Sequence, residues 1–281
     1  MPPEIVTCLR RLGLGEPGAV TPLRGGRRNI VWRVAMPGGD VAVKLYDPHQ
    51  ESRVFPNNPK AEALALKVLS GHGLAPEFLA QDTAGKTQPL VVYRYLTGHV
   101  GEYAPTAIGR LLRKLHGVPS PRLRSAPDGS ATLRREVLRM AQALPEGLRE
   151  DLMFHLPERD VPPCNQKVFL HGDPVPGNIL SEDDGLRLID WQCPAQGDPV
   201  HDLAIHLSPG MNVLYGAAPP CGAYRKAFLQ GYGDPKVADR LQALTPFYHA
   251  WLAAYCAIRV AQGEVDYRAA MELELSALRK N

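Results

Sequence analysis

The sequence predicts an α+β protein in which a small antiparallel sheet with one packed helix precedes a larger, mostly helical region. Three observations predict this class. Short runs of β-branched and aromatic residues, separated by Pro and Gly, fill the first third of the chain. Apolar residues at helical spacing dominate after Thr97-Gly98. Hydrophobic residues at 44% and charged residues at 22% are typical of a globular chain that buries a sizeable core.

The first third contains the elements of the predicted sheet. A short amphipathic helix over residues 4–14 comes first, and a second helix over 59–70 ends at Gly71 and Gly73. The turn Pro37-Gly38-Gly39-Asp40 has the residue types that a hairpin requires. Runs of strand-forming residues surround these features, and the predicted strands are 20–23, 30–34, 41–46, 77–80 and 89–96.

The remainder is predicted to be helical, apart from one strand and one hairpin. Helices are expected over 106–116, 132–143 and 148–155, and a loop over 119–130. A strand over 167–170 leads into a polar loop, and a hairpin with strands at 179–180 and 186–189 follows. The change of character near residues 93–98 divides the chain into two predicted lobes, 1–96 and 97–281.

Charge and cysteine content exclude several classes of protein. The 32 basic and 29 acidic residues give a net charge of +3 and are scattered, which does not indicate a nucleic-acid-binding protein. The five cysteines include no CxxC pair, so a reducing compartment is the natural interpretation. The N-terminus lacks a signal-peptide layout, and no apolar run is long enough to cross a membrane. We therefore expect a cytoplasmic protein that is not bound to a membrane.

The strongest functional signal is His171-Gly172-Asp173-Pro174-Val175-Pro176-Gly177-Asn178, which is followed by Leu188-Ile189-Asp190-Trp191. A carboxylate and an amide five residues apart can point into one cleft, and a hairpin can return a second carboxylate to it. Phosphoryl transfer requires such a set: one carboxylate orients the attacking hydroxyl, and oxygen ligands hold magnesium. A capping aspartate or a turn asparagine would explain either residue alone, but not the whole spacing.

A second signal is Lys44, in the strand-like run Val41-Ala42-Val43-Lys44-Leu45-Tyr46. A lysine in such a strand can be an ordinary solvated residue. It can also pair with nucleotide phosphates when a carboxylate on a helix holds it in place. Glu62, on the helix that follows, is the expected partner, and Glu51 in the intervening loop is a weaker candidate.

Together these residues resemble the superfamily of aminoglycoside phosphotransferases and choline/ethanolamine kinases, small-molecule kinases with a bilobal protein-kinase-like fold. The resemblance extends from Leu23 to Gly197-Asp198-Pro199-Val200-His201-Asp202-Leu203-Ala204, and the combination of HGDxxxxN, IDW and GDPxxDLA is highly specific. It implies a nucleotide-binding lobe before residue 97 and a catalytic, substrate-binding lobe after it. It also implies ATP and Mg²⁺ as cofactors.

The resemblance assigns a role to each matching position. Asp173 becomes the catalytic aspartate, Asn178 and Asp190 the magnesium ligands, and Lys44 the nucleotide lysine paired with Glu62. The remaining positions contact the nucleotide or support the catalytic loop. Gly25, Gly26 and Asn29 belong to a turn over the phosphates, backbone groups near Tyr93 and Tyr95 hold adenine, and His171 and Asp202 support the catalytic loop.

Other patterns in the sequence are interpreted as structural. A GxGxxG at Gly13, Gly15 and Gly18 follows a helix rather than a strand, so it does not predict a dinucleotide site. His201 and His206 are interpreted as packing or surface residues rather than metal ligands.

The acceptor is expected to be a small molecule with a hydroxyl group. Residues 203–233 contain no carboxylate, which argues against a polycationic aminoglycoside. Aromatic faces can hold an ammonium group, and Trp191, Trp251 and Tyr255 are the candidates for such contacts, although 247, 251 and 255 also recur at helix-packing intervals. An amino alcohol such as choline or ethanolamine is therefore the first choice. Aminoglycosides, sugars and other metabolites are the alternatives, and a nucleotide-binding pseudokinase is an alternative of another class. The sequence leaves the oligomeric state open.

Overall fold

A five-stranded antiparallel sheet forms the centre of the first part of the chain. The computed structural model describes residues 1–23, 28–47, 52–83, 88–101 and 103–280. The strands lie in the spatial order β1-β2-β3-β5-β4. Their bounds are Val20–Leu23 (β1), Ile30–Val34 (β2), Val41–Leu45 (β3), Phe78–Asp82 (β4) and Leu90–Arg94 (β5). In the registers of β3, Lys44 lies opposite Val31 on β2 and Val91 on β5.

Two helices accompany this sheet, α1 (Pro3–Arg11) and α2 (Pro59–Val68). The start of α2 follows from its sequence. The Asn58 side chain accepts hydrogen bonds from the backbone N–H groups of Lys60 and Ala61, and Pro59 occupies the first turn, where no N–H is needed. One face of α1 packs on the sheet in an apolar core that includes Ile5, Leu9, Trp32, Val34, Val43 and Leu90.

A hairpin formed by β7 (Ile179–Glu182) and β8 (Gly185–Leu188) belongs to the same compact unit as the sheet. The backbone N–H of Leu188 donates to the carbonyl of Leu74 at 2.8 Å, and His99 pairs with Ser181 in an isolated bridge. At Gly98 a Cβ atom would lie 2.1 Å from the carbonyl oxygen of Ser181, so only glycine allows this approach. A short 3₁₀ turn, Pro176–Asn178, precedes the hairpin.

The rest of the chain is mainly helical. Its helices are α3 (Pro105–His116), α4 (Gly129–Ala141), α5 (Glu146–His155), α6 (Val200–His206), α7 (Pro209–Leu214), α8 (Gly222–Tyr232), α9 (Pro235–Ala261) and α10 (Tyr267–Leu278). They are accompanied by a two-stranded antiparallel pair, β6 (Val168–Leu170) and β9 (Ala195–Gly197). No helix in the part of the chain that the structure describes is both long and apolar enough to cross a membrane.

Contacts divide the chain into two compact units. The first comprises Met1–Gly101 with Gly177–Pro194, and the second comprises Glu102–Pro176 with Ala195–Asn281. The hairpin that carries Asp190 at its end is therefore part of the first unit, although in the chain it follows His171-Gly172-Asp173, which belongs to the second unit. The functional division into lobes 1–96 and 97–281 stays a prediction.

The predicted α+β class is confirmed, and the predicted elements occur with ends that differ by a few residues. The expectation that everything after the hairpin is helical was wrong at β9. The residues Ala195, Gln196 and Gly197 have weak strand propensity, and they form a strand because they pair with Leu170, Phe169 and Val168. Local sequence carries no sign of that partner.

Helices α3 and α8 approach each other at two glycines. A Cβ atom at Gly109 would lie 2.2 Å from the carbonyl oxygen of Phe228, and one at Gly231 would lie 2.1 Å from that of Thr106. The backbones therefore meet with no side chain between them, and neither site has room for a methyl group.

This close approach predicts that Gly231→Ala destabilises the protein. The added methyl group must push backbone atoms apart, and overpacking of this kind costs about 1–3 kcal/mol. Denaturant unfolding should show a lower midpoint. Gly222→Ala, in the first turn of the same helix with open space around its Cβ, is the matched control and should be neutral or stabilising. Equal stability of the two variants would contradict the packing argument.

Candidate active site

Lys44 is the centre of a buried charge cluster in the first unit. Its side chain is 2% exposed, and its Nζ lies 2.7 Å from Oε2 of Glu62 on α2. The same Nζ donates to Oδ1 of Asp190, just after β8. The structure thus brings together three of the predicted site residues from a strand, a helix and a hairpin. Glu51, the weaker candidate partner, lies outside the described residues.

The electrostatics of this cluster favour a charged lysine. Burial by itself would lower the pKa of Lys44, but the carboxylates of Asp190 and Glu62 more than offset it, so the pKa is raised. Burial raises the pKa of Glu62, and Lys44 opposes that shift. Glu62 has a further partner that sequence reasoning missed, because the hydroxyl of Tyr46 donates to the same Oε2. Its position two residues after Lys44, on the same face of the strand, was the available signal.

Asn178 and Asp190 flank the open end of the β7–β8 hairpin. The backbone N–H of Ile189 donates to the carbonyl of Asn178 at 2.9 Å, which joins the two ends. Asp190 has φ of +61°, the only positive φ at a non-glycine position among the described residues. Aspartate tolerates this conformation better than most residues because its short polar side chain can bond locally. Such local strain is common at functional sites.

The donor chemistry of this hairpin end fits Mg²⁺. Carboxylate and amide oxygens are hard ligands, and Mg²⁺ usually takes one or two protein carboxylates while keeping water and substrate phosphates in its other positions. The Asp190 side chain remains 32% exposed, so it can reach a ligand while it also binds Lys44.

The turn predicted to cover the phosphates is only partly described. Gly25 and Gly26 lie outside the described residues. Asn29 is described, and its side chain is engaged within the protein. Its Nδ2 donates to Oδ1 of Asn57 at 2.8 Å and to Oε1 of Gln192 at 2.9 Å, while its Oδ1 accepts from Nδ2 of Asn57 at 2.8 Å. Both N–H groups of the Asn29 side chain therefore already have acceptors within the protein, and the assignment of the turn to the phosphates stays a prediction.

The two tyrosines of the predicted adenine site belong to the sheet or its edge. Tyr93 lies in β5 opposite both Ala42 and Phe78, and the N–H of Tyr95 donates to the carbonyl of Asp40 at 3.1 Å. The Tyr95 N–H is therefore already used, so a backbone contact with adenine would have to come from a neighbouring group. Burial raises the pKa of Tyr93. The negative charges of Glu62 and Asp190 raise this pKa further, whereas the positive charge of Lys44 opposes the shift.

Asp173 lies in the second unit, in a loop that a buried carboxylate organises. Asp202 on α6 accepts the backbone N–H groups of His171 and Gly172 at 2.8 and 2.9 Å. The ring Nδ1 of His171 then accepts the N–H of Asp173 at 3.2 Å. Gly172 has φ of +86°, a conformation that favours glycine. The two residues expected to support the catalytic loop both contact it directly.

Asp202 has a further partner, His116, whose Nε2 lies 3.1 Å from its Oδ2. Burial alone would raise the pKa of Asp202, but the His116 hydrogen bond and the neighbouring histidines hold it below its usual value. His116, at the end of α3, was not singled out from the sequence, where nothing indicates that it meets a residue 86 positions away.

His206 and His201 are buried packing residues, as the sequence interpretation allowed. The Nδ1–H of His206 donates to the carbonyl of Pro174 at 2.9 Å, next to Asp173, and its Nε2 accepts from the hydroxyl of Tyr224 at 2.9 Å. His201 contacts the ring of Trp251 edge-on. Burial lowers the pKa of each histidine to about 4.

The aromatic residues predicted to contact the acceptor are parts of the core. Trp191 is fully buried, and its Nε1–H donates to the carbonyl of Leu188 at 2.8 Å. Trp251 is buried against His201 and Tyr248, and Tyr255 packs edge-on against Tyr267. The expectation that Trp191 lines the acceptor site was wrong, since a side chain with no solvent-facing surface has nothing to offer a ligand. Its place next to Asp190 reflects packing beneath the hairpin.

Comparison with known proteins defines the class. Residues 19–259 match the model of the phosphotransferase enzyme family (APH), so the chain belongs to this family. A curated relative from Natronomonas pharaonis, a "probable bifunctional tRNA threonylcarbamoyladenosine biosynthesis protein", is 31% identical over 134 residues, which are 46% of this chain. The match spans 24% of that relative's length.

Solved structures share the fold at low sequence identity. A choline/ethanolamine kinase family protein from Mesorhizobium loti has a TM-score of 0.65 and 20% identity, over 94% of this chain and 87% of its own. A spectinomycin phosphotransferase, solved with ADP and spectinomycin, has a TM-score of 0.66 and 14% identity, and the match covers 96% of this chain and 92% of that protein. An amicoumacin kinase, solved with AMP-PNP and Ca²⁺, has a TM-score of 0.65 and 16% identity, and the match covers 98% of this chain and 92% of that protein. The likeness confirms the predicted protein-kinase-like fold and leaves the acceptor class unresolved.

The low pKa values of the buried His201 and His206 predict that the free energy of unfolding falls as the pH is lowered. Because their pKa values are about 4 in the folded chain and about 6.5 when unfolded, the unfolded state binds protons first as the pH falls. Each histidine should remove about 1.4 kcal/mol of unfolding free energy per pH unit between these values. Urea unfolding at a series of pH values checks this. His206→Gln should flatten the dependence between pH 6 and about 4.5, and an unchanged slope would show that His206 does not contribute.

Proposed function

We propose that the chain transfers the γ-phosphoryl group of ATP to a hydroxyl group of a small molecule, with Mg²⁺ as the metal. The observation that carries this proposal is the buried lysine of the first unit, held between Glu62 and Asp190. A structural ion pair needs one partner, whereas a second carboxylate at the end of a hairpin is the arrangement used to hold nucleotide phosphates and metal. The family match supports the phosphotransferase class.

The residues divide the work of the reaction among them. Lys44 supplies a fixed positive charge for the nucleotide phosphates, and Glu62 and Tyr46 hold it in place. Asn178 and Asp190 would hold Mg²⁺, which when bound neutralises phosphate charge. Asp173 orients the acceptor hydroxyl and accepts its proton. The bond between the γ-phosphorus and the bridging oxygen breaks, a bond to the acceptor oxygen forms, and ADP leaves.

An amino alcohol such as choline or ethanolamine is the first acceptor we propose. The absence of carboxylates from residues 203–233 supports it over an aminoglycoside, because a polyamine needs several carboxylates to replace its hydration. The likeness to a choline/ethanolamine kinase family protein is consistent with it. The three nominated aromatic residues add no support, because they are buried.

A second candidate function is that of a nucleotide-binding regulator without catalysis. Lys44, Glu62, Asp173, Asn178 and Asp190 are all chemically competent, which favours an enzyme. A screen of the purified protein for ADP formation with choline, ethanolamine, thiamine, sugars and aminoglycosides separates the two. Turnover that depends on one of these alcohols supports the kinase, and nucleotide binding with no turnover on any of them favours the regulator.

Asp173→Asn should retain nucleotide binding and lose transfer. The amide keeps the size of the side chain but cannot accept the hydroxyl proton, so kcat should fall at least about a hundredfold, as expected when a general base is removed. Rapid-quench or coupled assays of ADP release measure this. Asp183→Asn, at an exposed turn aspartate, is the matched control and should behave as wild type. Near-wild-type turnover of the Asp173 variant would remove Asp173 from this role.

Asp190→Asn should weaken the magnesium dependence of nucleotide binding. Asparagine tolerates the left-handed backbone at this position, so the change isolates the loss of the carboxylate charge from backbone strain. The Mg²⁺ concentration needed for half-maximal ADP binding should rise about tenfold or more. Calorimetric titration at several Mg²⁺ concentrations checks this, and an unchanged Mg²⁺ requirement would refute the assignment.

A further inference from the structure

Two buried amide side chains, Asn29 and Gln192, and one half-buried amide, Asn57, form a cluster in the first unit, which we call the amide cluster. Asn29 and Asn57 exchange two hydrogen bonds of 2.8 Å in a reciprocal pair. The second N–H of Asn29 donates to Oε1 of Gln192 at 2.9 Å. Asn29 is 9% exposed and Gln192 is 7% exposed, so these bonds replace hydration that is lost on folding.

The cluster joins the strand beside that of Lys44 to the two segments that carry Glu62 and Asp190. Asn29 lies just before β2, the strand that pairs with the strand of Lys44. Asn57 lies next to Asn58, the residue that caps the helix bearing Glu62 in its first turn. Gln192 follows Asp190 by two residues.

A backbone bond adds a second connection between the same segments. The N–H of Asn58 donates to the carbonyl of Gln192 at 2.9 Å. The start of α2 is therefore tied to the segment after Asp190 through the main chain of Gln192, while its side chain is tied to Asn29. Moving Gln192 would displace the helix cap and the neighbouring metal-ligand residue together.

We propose that the amide cluster is a positioning device that sets the distance between Glu62 and Asp190 and so holds Lys44 in the geometry that binds nucleotide phosphates. Gln192 is its central positioning residue. The inference rests on the proposed function, because it assigns Lys44 to phosphate binding. It goes beyond that function by naming residues that touch neither nucleotide nor metal but act through those that do.

Amide chemistry suits this task. Asn29 both donates to and accepts from Asn57 and donates to Gln192, so a shift of one segment leaves a polar group of the buried Asn29 side chain without its partner. An apolar contact would allow the segments to slide past one another, because it has no directional partner. Charged groups so close to Asp190 and Lys44 would perturb the balance of charge that keeps the lysine paired.

The test measures binding of ADP with Mg²⁺ by titration calorimetry, together with thermal unfolding, on the full chain. Gln192→Met keeps the length of the side chain and removes the acceptor, and it should weaken ADP binding about tenfold. Gln192→Asn retains an uncharged amide acceptor at the same position and should lose less affinity for ADP than Gln192→Met. Asn57→Ala, which removes the reciprocal partner of Asn29, provides a second perturbation if Gln192→Met folds poorly.

A double-mutant cycle separates positioning from general stability. In a Glu62→Gln background, Gln192→Met should weaken ADP binding by less than about twofold further, because its effect passes through Glu62. Ser130→Ala removes hydrogen bonds of a buried side chain in the other unit, and it should lower the unfolding temperature without changing ADP affinity. Together these results would support the inference.

Other results would overturn it. Wild-type ADP affinity in Gln192→Met and Asn57→Ala, or an equal loss with and without Glu62→Gln, would leave the cluster as a packing feature. A loss of affinity in Ser130→Ala as large as that in Gln192→Met would attribute the effect to stability. If the wild-type chain itself does not bind ADP with Mg²⁺, the proposed function fails instead, which is a distinguishable result.

Discussion

Burying the ammonium group of Lys44 removes a full charge from water, which costs on the order of several kcal/mol unless other groups replace its hydration. The first unit meets this requirement with groups from three separate segments. Glu62 comes from a helix, Asp190 from the end of a hairpin, and the hydroxyl of Tyr46 supports Glu62. The sheet, α2 and the hairpin must therefore assemble around one atom, and we propose that the same arrangement binds the nucleotide.

The second unit also buries a charge, but this charge is negative. The carboxylate of Asp202 is fully buried, and backbone N–H groups of His171 and Gly172 together with His116 replace its hydration. A buried carboxylate that accepts backbone hydrogen bonds fixes the path of the chain next to Asp173. In the first unit the buried charge belongs to Lys44 itself, whereas in the second it belongs to a carboxylate that constrains the chain beside Asp173.

The sequence was a good guide wherever the determining interaction is local. The helix that begins at Pro59, the strand around Lys44 and the turn at Gly38-Gly39 were all predicted from neighbouring residues, and the structure contains each of them. The pairing of Lys44 with Glu62 followed from a strand and a helix in succession. Long-range partners could not be found in this way. His116 and Asp202 are 86 residues apart, Asn29 and Gln192 are 163 apart, and β9 exists because β6 pairs with it.

Trp191 shows why a residue that is next to a candidate site residue in the sequence need not itself belong to the site. Side chains of successive residues at the end of a strand point in different directions, so the neighbour of Asp190 turns into the core while Asp190 remains partly exposed. The next residue, Gln192, is buried as well, but it carries polar groups that must find partners, and it finds them on the segments that hold the rest of the site. For a buried side chain near an active site, the useful question is therefore which segments its hydrogen bonds connect. An apolar ring connects none in particular, whereas a satisfied amide links specific segments and can transmit their positions to the residues that react.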